Sequence, residues 1–293
     1  IMKLRLGVRG MMWLTLVIMM WGIISCRTQE EKRLEEVLSL PLANKEELQK
    51  VLDHYKDDSL KYQAVCFLIR NMPFHAGYEG NALKHYYQYF DIYAQGKLGP
   101  HEVIDSLKEN SFSVSQLKRI EDIANIDSSL LVQNVDWAFK VWREQPWGKN
   151  VSFDNFCEFV LPYRLGDEPL GFWREDIYKR YNPILDSIRL LPQAQDPLVA
   201  AKVLMDSLVV EQSHFTGLFP AGPHLGPSVV SWRAGSCREF ADLVVYVMRA
   251  LGIPCGTDYM AMRGDNNVPH FWNFTLDKDG KTYITEFPDP NWK

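Results

Sequence analysis

The chain has 293 residues, enough for about two domains of ordinary size. Hydrophobic residues make up 46% of it and charged residues 24%, which excludes collagen-like, low-complexity and wholly disordered chains. Its 32 basic residues are outnumbered by 37 acidic ones, for a net charge of −5. Because no basic excess is present to neutralise phosphates, we expect no nucleic-acid partner.

Residues 1–26 have the pattern of a signal peptide. Basic residues precede an almost wholly apolar run from Met11 to Ile24, which is short for a membrane-spanning helix of about 20 residues. The run ends in Ile24-Ser25-Cys26, which resembles the lipobox of bacterial lipoproteins and implies cleavage before Cys26 and lipid attachment to its thiol. A plain secretory signal and an uncleaved anchor are the alternatives. All three place the mature chain outside the cytoplasm, and the lipoprotein hypothesis predicts a lipid-anchored protein of the cell envelope, at the outer membrane or facing the periplasm or the exterior.

Residues 27–210 form a region in which apolar side chains recur at helical spacing. We expect this region to be a helical scaffold that fills its own core. A C-terminal unit, residues 211–293, follows, and a Gly/Pro-rich loop over residues 217–227 leads into it. Eight helices are predicted, at about Leu48–Tyr55, Leu60–Leu68, Ala82–Tyr93, Ser115–Ile126, Leu131–Arg143, Phe153–Tyr163, Ile177–Ile188 and Leu198–Val210.

A helix in the C-terminal unit is predicted to begin at Ser236, because Ser236 and Glu239 have the spacing of a capping box. Cys237 then occupies the first helical position. Free N–H groups and the helix dipole favour a thiolate there, and the same N–H groups can stabilise an oxyanion formed by attack from the sulfur. Gly252 suits the end of the helix. One face is apolar: Phe240, Val244, Val247, Met248 and Leu251.

Strands are predicted after this helix, at Cys255–Arg263, His270–Leu276 and Thr282–Phe287. Of the seven histidines, His270 alone follows Cys237, and it is the natural general base for a cysteine nucleophile. The carboxylate that would orient it has two candidates. A two-residue turn at Asp279-Gly280 places Asp289 opposite His270, whereas a longer, bulged turn places Glu286 there, and the register cannot be decided from sequence.

Three sequence blocks occur in order in this unit. They are Gly235-x-Cys237-Arg238-Glu239-Phe240-Ala241, then Arg249-Ala250-Leu251-Gly252-Ile253-Pro254, then His270-x-Trp272-Asn273. Together they resemble the core of the transglutaminase-like superfamily. Upstream, Phe159-Val160-Leu161-Pro162-Tyr163-Arg164 is similar to a segment of secreted Bacteroidetes-type members.

The resemblance implies an α+β, papain-like fold in which the cysteine-bearing helix packs on an antiparallel sheet. It implies a triad of Cys237 as nucleophile, His270 as base and acid, and Glu286 or Asp289 as the third member. It also suggests Trp232 as an oxyanion-stabilising side chain. The remaining thiols, Cys66, Cys157 and Cys255, are expected in the core.

The chemistry implied is acyl transfer through a Cys237 thioester on a peptide, protein or glycopeptide amide, with hydrolysis favoured over transfer to an amine. Two other hypotheses stay open: a catalytically degenerate peptide- or glycan-binding lipoprotein, and a structural lipoprotein whose helical half makes the functional contact. We expect no cofactor, and no His/Cys/Asp cluster has the spacing of a metal site. Because the chain begins with Ile1 and stops soon after its last candidate carboxylate, we also expect it to be a fragment that lacks a C-terminal continuation.

Overall fold

The computed structural model of the chain describes residues 29–264 and 267–287. Cys26, the predicted lipidation site, and Asp289, one of the two candidate carboxylates, lie outside these ranges. Within them, no helix has the length and apolar character that a membrane span requires.

The chain is a mixed helix-and-sheet protein, with most helices before residue 211 and its three-stranded sheet after residue 254. Residues 29–38 are helical. The helices that follow are α1 (Lys45–His54), α2 (Ser59–Asn71), α3 (Ala82–Ala94), α4 (Pro100–Ser106), α5 (Asp122–Asn125), α6 (Ser128–Glu144), α7 (Phe153–Phe159), α8 (Arg174–Tyr181), α9 (Pro197–Val210), α10 (Val229–Trp232) and α11 (Cys237–Ala250). Short 3-10 turns lie at Lys108–Asn110, Val114–Gln116, Pro146–Asn150, Asn182–Leu185, Pro192–Gln195 and Gly226–Ser228.

Seven strands in the described ranges form three small sheets. They are β1 (Ala76–Glu79), β2 (Lys118–Glu121), β3 (His214–Phe215), β4 (Ala234–Gly235), β5 (Cys255–Met260), β6 (His270–Leu276) and β7 (Thr282–Thr285). β1 and β2 pair antiparallel, β3 and β4 pair parallel, and β5, β6 and β7 form an antiparallel sheet in that order. The last of these sheets packs on α11 through β5 and β6.

The predicted helix over Ser115–Ile126 is wrong, because this segment contains β2 and the single-turn helix α5 instead. The cause is a long-range contact. The Asp122 carboxylate is buried against Arg164 at 2.8 Å, and the Asp122 N–H donates to the His75 carbonyl oxygen at 2.9 Å. These bonds hold the segment beside β1, where residues 118–121 complete a two-stranded ladder.

Two other predicted helices are shorter than expected. The one over Phe153–Tyr163 stops at Phe159, before Pro162, and the one over Ile177–Ile188 is split between α8 and the 3-10 turn Asn182–Leu185. Proline explains the second difference, because its missing N–H and its ring interrupt an α-helix. The turn begins one residue before Pro183.

The α11 helix is the centre of the fold and agrees closely with its prediction. Its N-terminus is capped by Ser236, and its C-terminus closes with a Schellman motif, in which the Ile253 N–H donates to the Met248 carbonyl and Gly252 adopts a φ of +75°. Instead of one buried face, almost the whole helix is buried, from Glu239 to Ala250. Burial on all sides explains the strong apolar content of this helix.

One apolar cluster contains side chains from both sides of residue 210. It joins α3, α8 and α9 to α10, α11 and the start of β5. A second cluster lies among α1, α2, α6 and α7. The division into regions 27–210 and 211–293 stays a prediction, and the core that supports α11 draws on both of them.

Candidate functional site

The capping box predicted before α11 is present. Glu239 Oε2 accepts hydrogen bonds from the backbone N–H of Ser236 at 2.8 Å and from its hydroxyl at 2.7 Å. The other oxygen, Oε1, accepts from the Arg238 guanidinium at 2.8 Å. Glu239 is therefore fully engaged, and its negative charge, which would oppose a thiolate at Cys237, is offset by the adjacent cation.

Cys237 is the first residue of α11 and is only partly buried. Within the ranges 29–264 and 267–287, neither its backbone N–H nor its sulfur has a hydrogen-bond partner. An unpaired N–H at a helix start beside an accessible thiol can donate to a developing oxyanion. The three other thiols that the structure describes, Cys66, Cys157 and Cys255, are buried.

His270 and Glu286 form an ion-pair contact, with His270 Nε2 2.8 Å from Glu286 Oε1. His270 begins β6, and Glu286 directly follows β7. The His270 side chain is 13% exposed and the Glu286 side chain 53% exposed, so the imidazole is largely enclosed and the carboxylate reaches it from the solvent side. This is the contact an orienting carboxylate would make.

The register that produces this contact is neither of the two considered from sequence. β6 and β7 are joined by a three-residue turn, in which the Asp277 N–H donates to the Lys281 carbonyl and Gly280 has a φ of +78°. Asn273 pairs with Thr285, so extending the ladder by one residue places Trp272 opposite Glu286. His270 reaches Glu286 as a diagonal neighbour on the same face of the sheet.

One cleft brings the three candidates together. Cys237, His270 and Glu286 all line a cavity of about 830 Å³. No hydrogen bond joins the Cys237 sulfur to His270 in the part of the chain that the structure describes. A nucleophile and base often lack a short contact before a substrate is bound, so their shared cavity is the relevant geometry.

One wall of this cleft was not predicted from the sequence. Residues between Phe215 and Ala221 line it, and the loop that follows is held to α11 at two points. Arg238 donates to the carbonyl oxygen of Gly222 at 2.9 Å, and His224 Nδ1 lies 2.7 Å from Asp242 Oδ2. No local sequence signal links His224 to Asp242, because the two residues lie 18 positions apart.

The His224–Asp242 contact has an electrostatic consequence. Burial alone would lower the pKa of His224, but the Asp242 carboxylate outweighs it and raises the pKa of this imidazole to about 9. At neutral pH, His224 therefore carries a proton and ties the loop to the buried helix.

Trp232 lies in α10 and packs against aromatic residues of α3. Its ring stacks on Phe90 with centroids 6.0 Å apart and contacts Tyr87 at 5.3 Å. Trp232 is not among the residues that line the cleft. The contacts it makes are those of a packing residue, so its suggested contribution to oxyanion stabilisation has no support in this geometry.

The segment Phe159–Arg164, noted for its resemblance, is held by two buried arginines, one on α11 and one at the start of α8. Arg249 donates to the carbonyl oxygens of Phe159 and Arg164. Arg174 donates to those of Val160, Leu161 and Pro162. The segment thus supports the helix that bears Cys237, and it does not line the cleft.

No group of three or more His, Cys, Asp or Glu side chains in the described ranges is arranged to hold a metal ion. The expectation that the protein uses no cofactor stays a prediction.

Comparisons with known proteins leave the family open. No protein-family model matches the chain, and no curated protein matches it. Among solved structures, it is similar to the periplasmic domain of TgpA from Pseudomonas aeruginosa bound to ethylmercury, with 17% sequence identity and a TM-score of 0.31. The similarity covers 41% of this chain and 45% of that domain, so the chain spans less than half the length of the TgpA domain. A similarity this distant carries no argument about activity.

Proposed function

We propose that the protein is a transglutaminase-like thiol enzyme that transfers an acyl group through a Cys237 thioester. The observation that carries the proposal is the single cleft lined by Cys237 at a helix start and by the His270–Glu286 pair. Nucleophile, base and orienting carboxylate are the parts that thiol acyl transfer needs.

The reaction would proceed in two halves. His270 accepts the thiol proton as Cys237 attacks the carbonyl carbon of an amide, and the N–H of Cys237 donates to the oxyanion that forms. The C–N bond then breaks, the proton on His270 passes to the departing amine, and a thioester remains. His270 then deprotonates a water molecule, which attacks the thioester carbonyl carbon. The C–S bond breaks, the carboxylic acid is released, and His270 returns its proton to the sulfur. Glu286 holds the imidazole and balances its charge while it is protonated.

The substrate we favour is a peptide, protein or glycopeptide amide, and the favoured outcome is hydrolysis. Water is abundant at a cell surface, which is where the N-terminal sequence would place the protein. An amine in place of water would give a cross-link by the same thioester. Both outcomes belong to the same proposal and differ only in the second half-reaction.

The test is the reactivity of the thiols toward iodoacetamide, located by peptide mapping. Burial raises the pKa of Cys157 and of Cys255 to about 12, and burial also raises the pKa of Cys66. Alkylation of the folded protein should therefore be concentrated at Cys237, and it should be much slower in His270→Ala. The control is His101→Ala, which removes an exposed histidine that does not line the cleft.

A second candidate is a degenerate member that binds a peptide or glycan without turnover. In the part of the chain that the structure describes, no hydrogen bond joins the Cys237 sulfur to His270, an arrangement that a binding protein without turnover shares with an enzyme that has no substrate bound. Alkylation of Cys237 at the same rate in the parent and in His270→Ala would contradict the enzyme and support this binding protein.

We also propose that the mature protein is a lipoprotein of the cell envelope, anchored through Cys26. The support is the apolar run followed by Ile24-Ser25-Cys26. Metabolic labelling with a radioactive fatty acid should mark the parent protein and not Cys26→Ser. Equal labelling of both would contradict the anchor, and an unlabelled parent that is found in the medium would support a plain secretory signal.

A further inference from the structure

We propose that the cleft selects an acyl substrate with an aromatic or large aliphatic side chain next to the scissile amide. This inference rests on the proposed function and adds a substrate class to it. It is drawn from the aromatic side chains around Cys237 and from the charged groups that the cleft already pairs.

The first aromatic flank is formed by Phe215 and Phe219. Phe215 is 61% exposed, unusual for a phenylalanine, and its ring stacks on Phe240 of α11 at a centroid distance of 6.1 Å and an angle of 13°. Phe240 in turn stacks on Phe287 at 4.8 Å and 8°. Because Phe240 packs against one face of the Phe215 ring, Phe215 offers an apolar surface to the cleft and loses little side-chain entropy when a substrate binds.

The second aromatic flank belongs to β5 and β6. Tyr259 pairs with Phe271 across the two strands, and their rings are 4.7 Å apart. Tyr259 is 57% exposed and lines the same cleft as His270, although side-chain alternation puts the two residues on opposite faces of the sheet. Because β6 also carries His270, this flank is fixed relative to the proposed base. An apolar side chain beside the reacting carbonyl would therefore contact aromatic surface from two separate parts of the fold.

Most charged groups of the cleft already have partners. Arg238 pairs with Glu239, and His270 pairs with Glu286. A charged substrate side chain bound here would lose its water without gaining a new ion pair at these groups, which is unfavourable. Arg263 also lines the cleft and has an interaction of its own, and because it is a cation, an acidic probe belongs in the test.

Selectivity can be measured with acetyl-dipeptide acyloxymethyl ketones that react with thiols. These probes would carry Phe, Leu, Ala, Lys or Asp next to the reactive ketone. The rate of Cys237 modification by each probe is divided by the rate with iodoacetamide, which has no side chain to recognise. Burial of a large apolar side chain should make the Phe and Leu ratios about tenfold or more above the Ala ratio, with Lys and Asp at or below Ala.

Two variants assign the preference to the aromatic flanks. Phe215→Ser and Tyr259→Ser should each reduce the Phe-to-Ala ratio, and the double variant should bring it close to one. The matched control is Phe172→Ser, which removes a phenylalanine of similar exposure, 56%, outside the cleft. It should leave the Phe-to-Ala ratio as in the parent.

Equal ratios for all probes, or a preference for the Asp probe, would overturn the inference while His270-dependent iodoacetamide labelling still supported the enzyme. A Phe preference that survives both flank substitutions would also overturn it. If iodoacetamide modifies Cys237 equally with and without His270, the proposed function fails first, and the substrate class fails with it.

Discussion

The side-chain amide of Asn273 donates a hydrogen bond of 3.0 Å to the carbonyl oxygen of Ala241. Asn273 lies three residues after His270 on β6, and Ala241 lies one turn after Cys237 on α11. The amide also donates to Gly256 of β5, and the side chain is almost fully buried. This one contact therefore links the helix that carries the proposed nucleophile to the strand that carries the proposed base.

We expect Asn273→Asp to destabilise the protein by more than about 2 kcal/mol, because it places a buried carboxylate against the Ala241 carbonyl in place of a donor. Asn273→Leu should cost less, since the amide Oδ1 has no hydrogen-bond partner among the described residues and leucine buries no charge. Urea unfolding measures both free energies. Asn110→Asp, at an exposed position, is the control for the added charge. Similar losses for Asp and Leu would show that shape alone matters at this position.

The Glu286 carboxylate is predicted to support the reactivity of Cys237 through His270. Glu286→Gln keeps the shape but removes the charge that balances a protonated imidazole, so alkylation of Cys237 at pH 7 should slow by about tenfold or more. Asp289→Asn makes the same chemical change at the other candidate and should have a smaller effect. A larger loss in Asp289→Asn would transfer the orienting role to that residue.

Local signals predicted α11 well. The Ser236–Glu239 capping box and the Gly252 end are short-range patterns whose chemistry is complete within a few residues, and the structure contains both.

The predicted β6–β7 register differs from the observed one by one residue. Asp277 accepts hydrogen bonds from the N–H groups of Asp279 and Lys281, and this acceptor lengthens the turn beyond the Asp279-Gly280 pair.

The wall of the cleft could not be predicted, because its contacts join residues that are distant in sequence. Phe215 belongs to β3, Phe240 belongs to α11, and Phe287 lies two residues after β7. The Phe240 ring stacks on both of the others. The His224–Asp242 pair likewise crosses from a loop to a helix. Hydrophobic periodicity assigns residues to faces, but it does not say which faces meet.

The His224–Asp242 pair predicts a loss of stability at alkaline pH. The folded-state pKa of His224 is raised to about 9, above the value of about 6.5 expected when unfolded. The stabilisation is therefore complete below about pH 6.5 and disappears as the pH rises through 9, and its size is at most on the order of 3 kcal/mol. The groups that face His224 are Asp242, Arg238 and Glu168.

In urea unfolding at a series of pH values, the parent should lose stability between pH 7 and 9.5. His224→Gln should be less stable than the parent at pH 7 and should show a flatter profile. His101→Gln removes an exposed histidine and should follow the parent. A His224→Gln profile parallel to that of the parent would show that the pair contributes nothing to the pH dependence.

Arg174 is predicted to be the least replaceable cation of the scaffold. It is buried and faces no carboxylate in the described ranges. Its guanidinium donates instead to Asn134 Oδ1 at 2.6 Å and to a set of backbone carbonyl oxygens, those of Val160, Leu161, Pro162 and Arg249. Burial and the neighbouring Arg249 cation lower the pKa of Arg174 well below its ordinary value.

Arg174→Lys retains the charge but offers a single nitrogen to acceptors that surround a planar fork, so we expect a loss of about 3 kcal/mol or more. Arg174→Met removes the charge and leaves the same carbonyls unpaired, and its loss should be comparable. Arg143→Lys, at a position where the side chain is 47% exposed, is the matched control and should change stability by less than about 0.5 kcal/mol. Arg174 has no counter-ion in the described ranges, so its carbonyl contacts are its main stabilisation. A fully stable Arg174→Lys variant would therefore mean that water can replace the guanidinium at these carbonyls. The segment over residues 160–162 would then be held by Arg249 and packing alone.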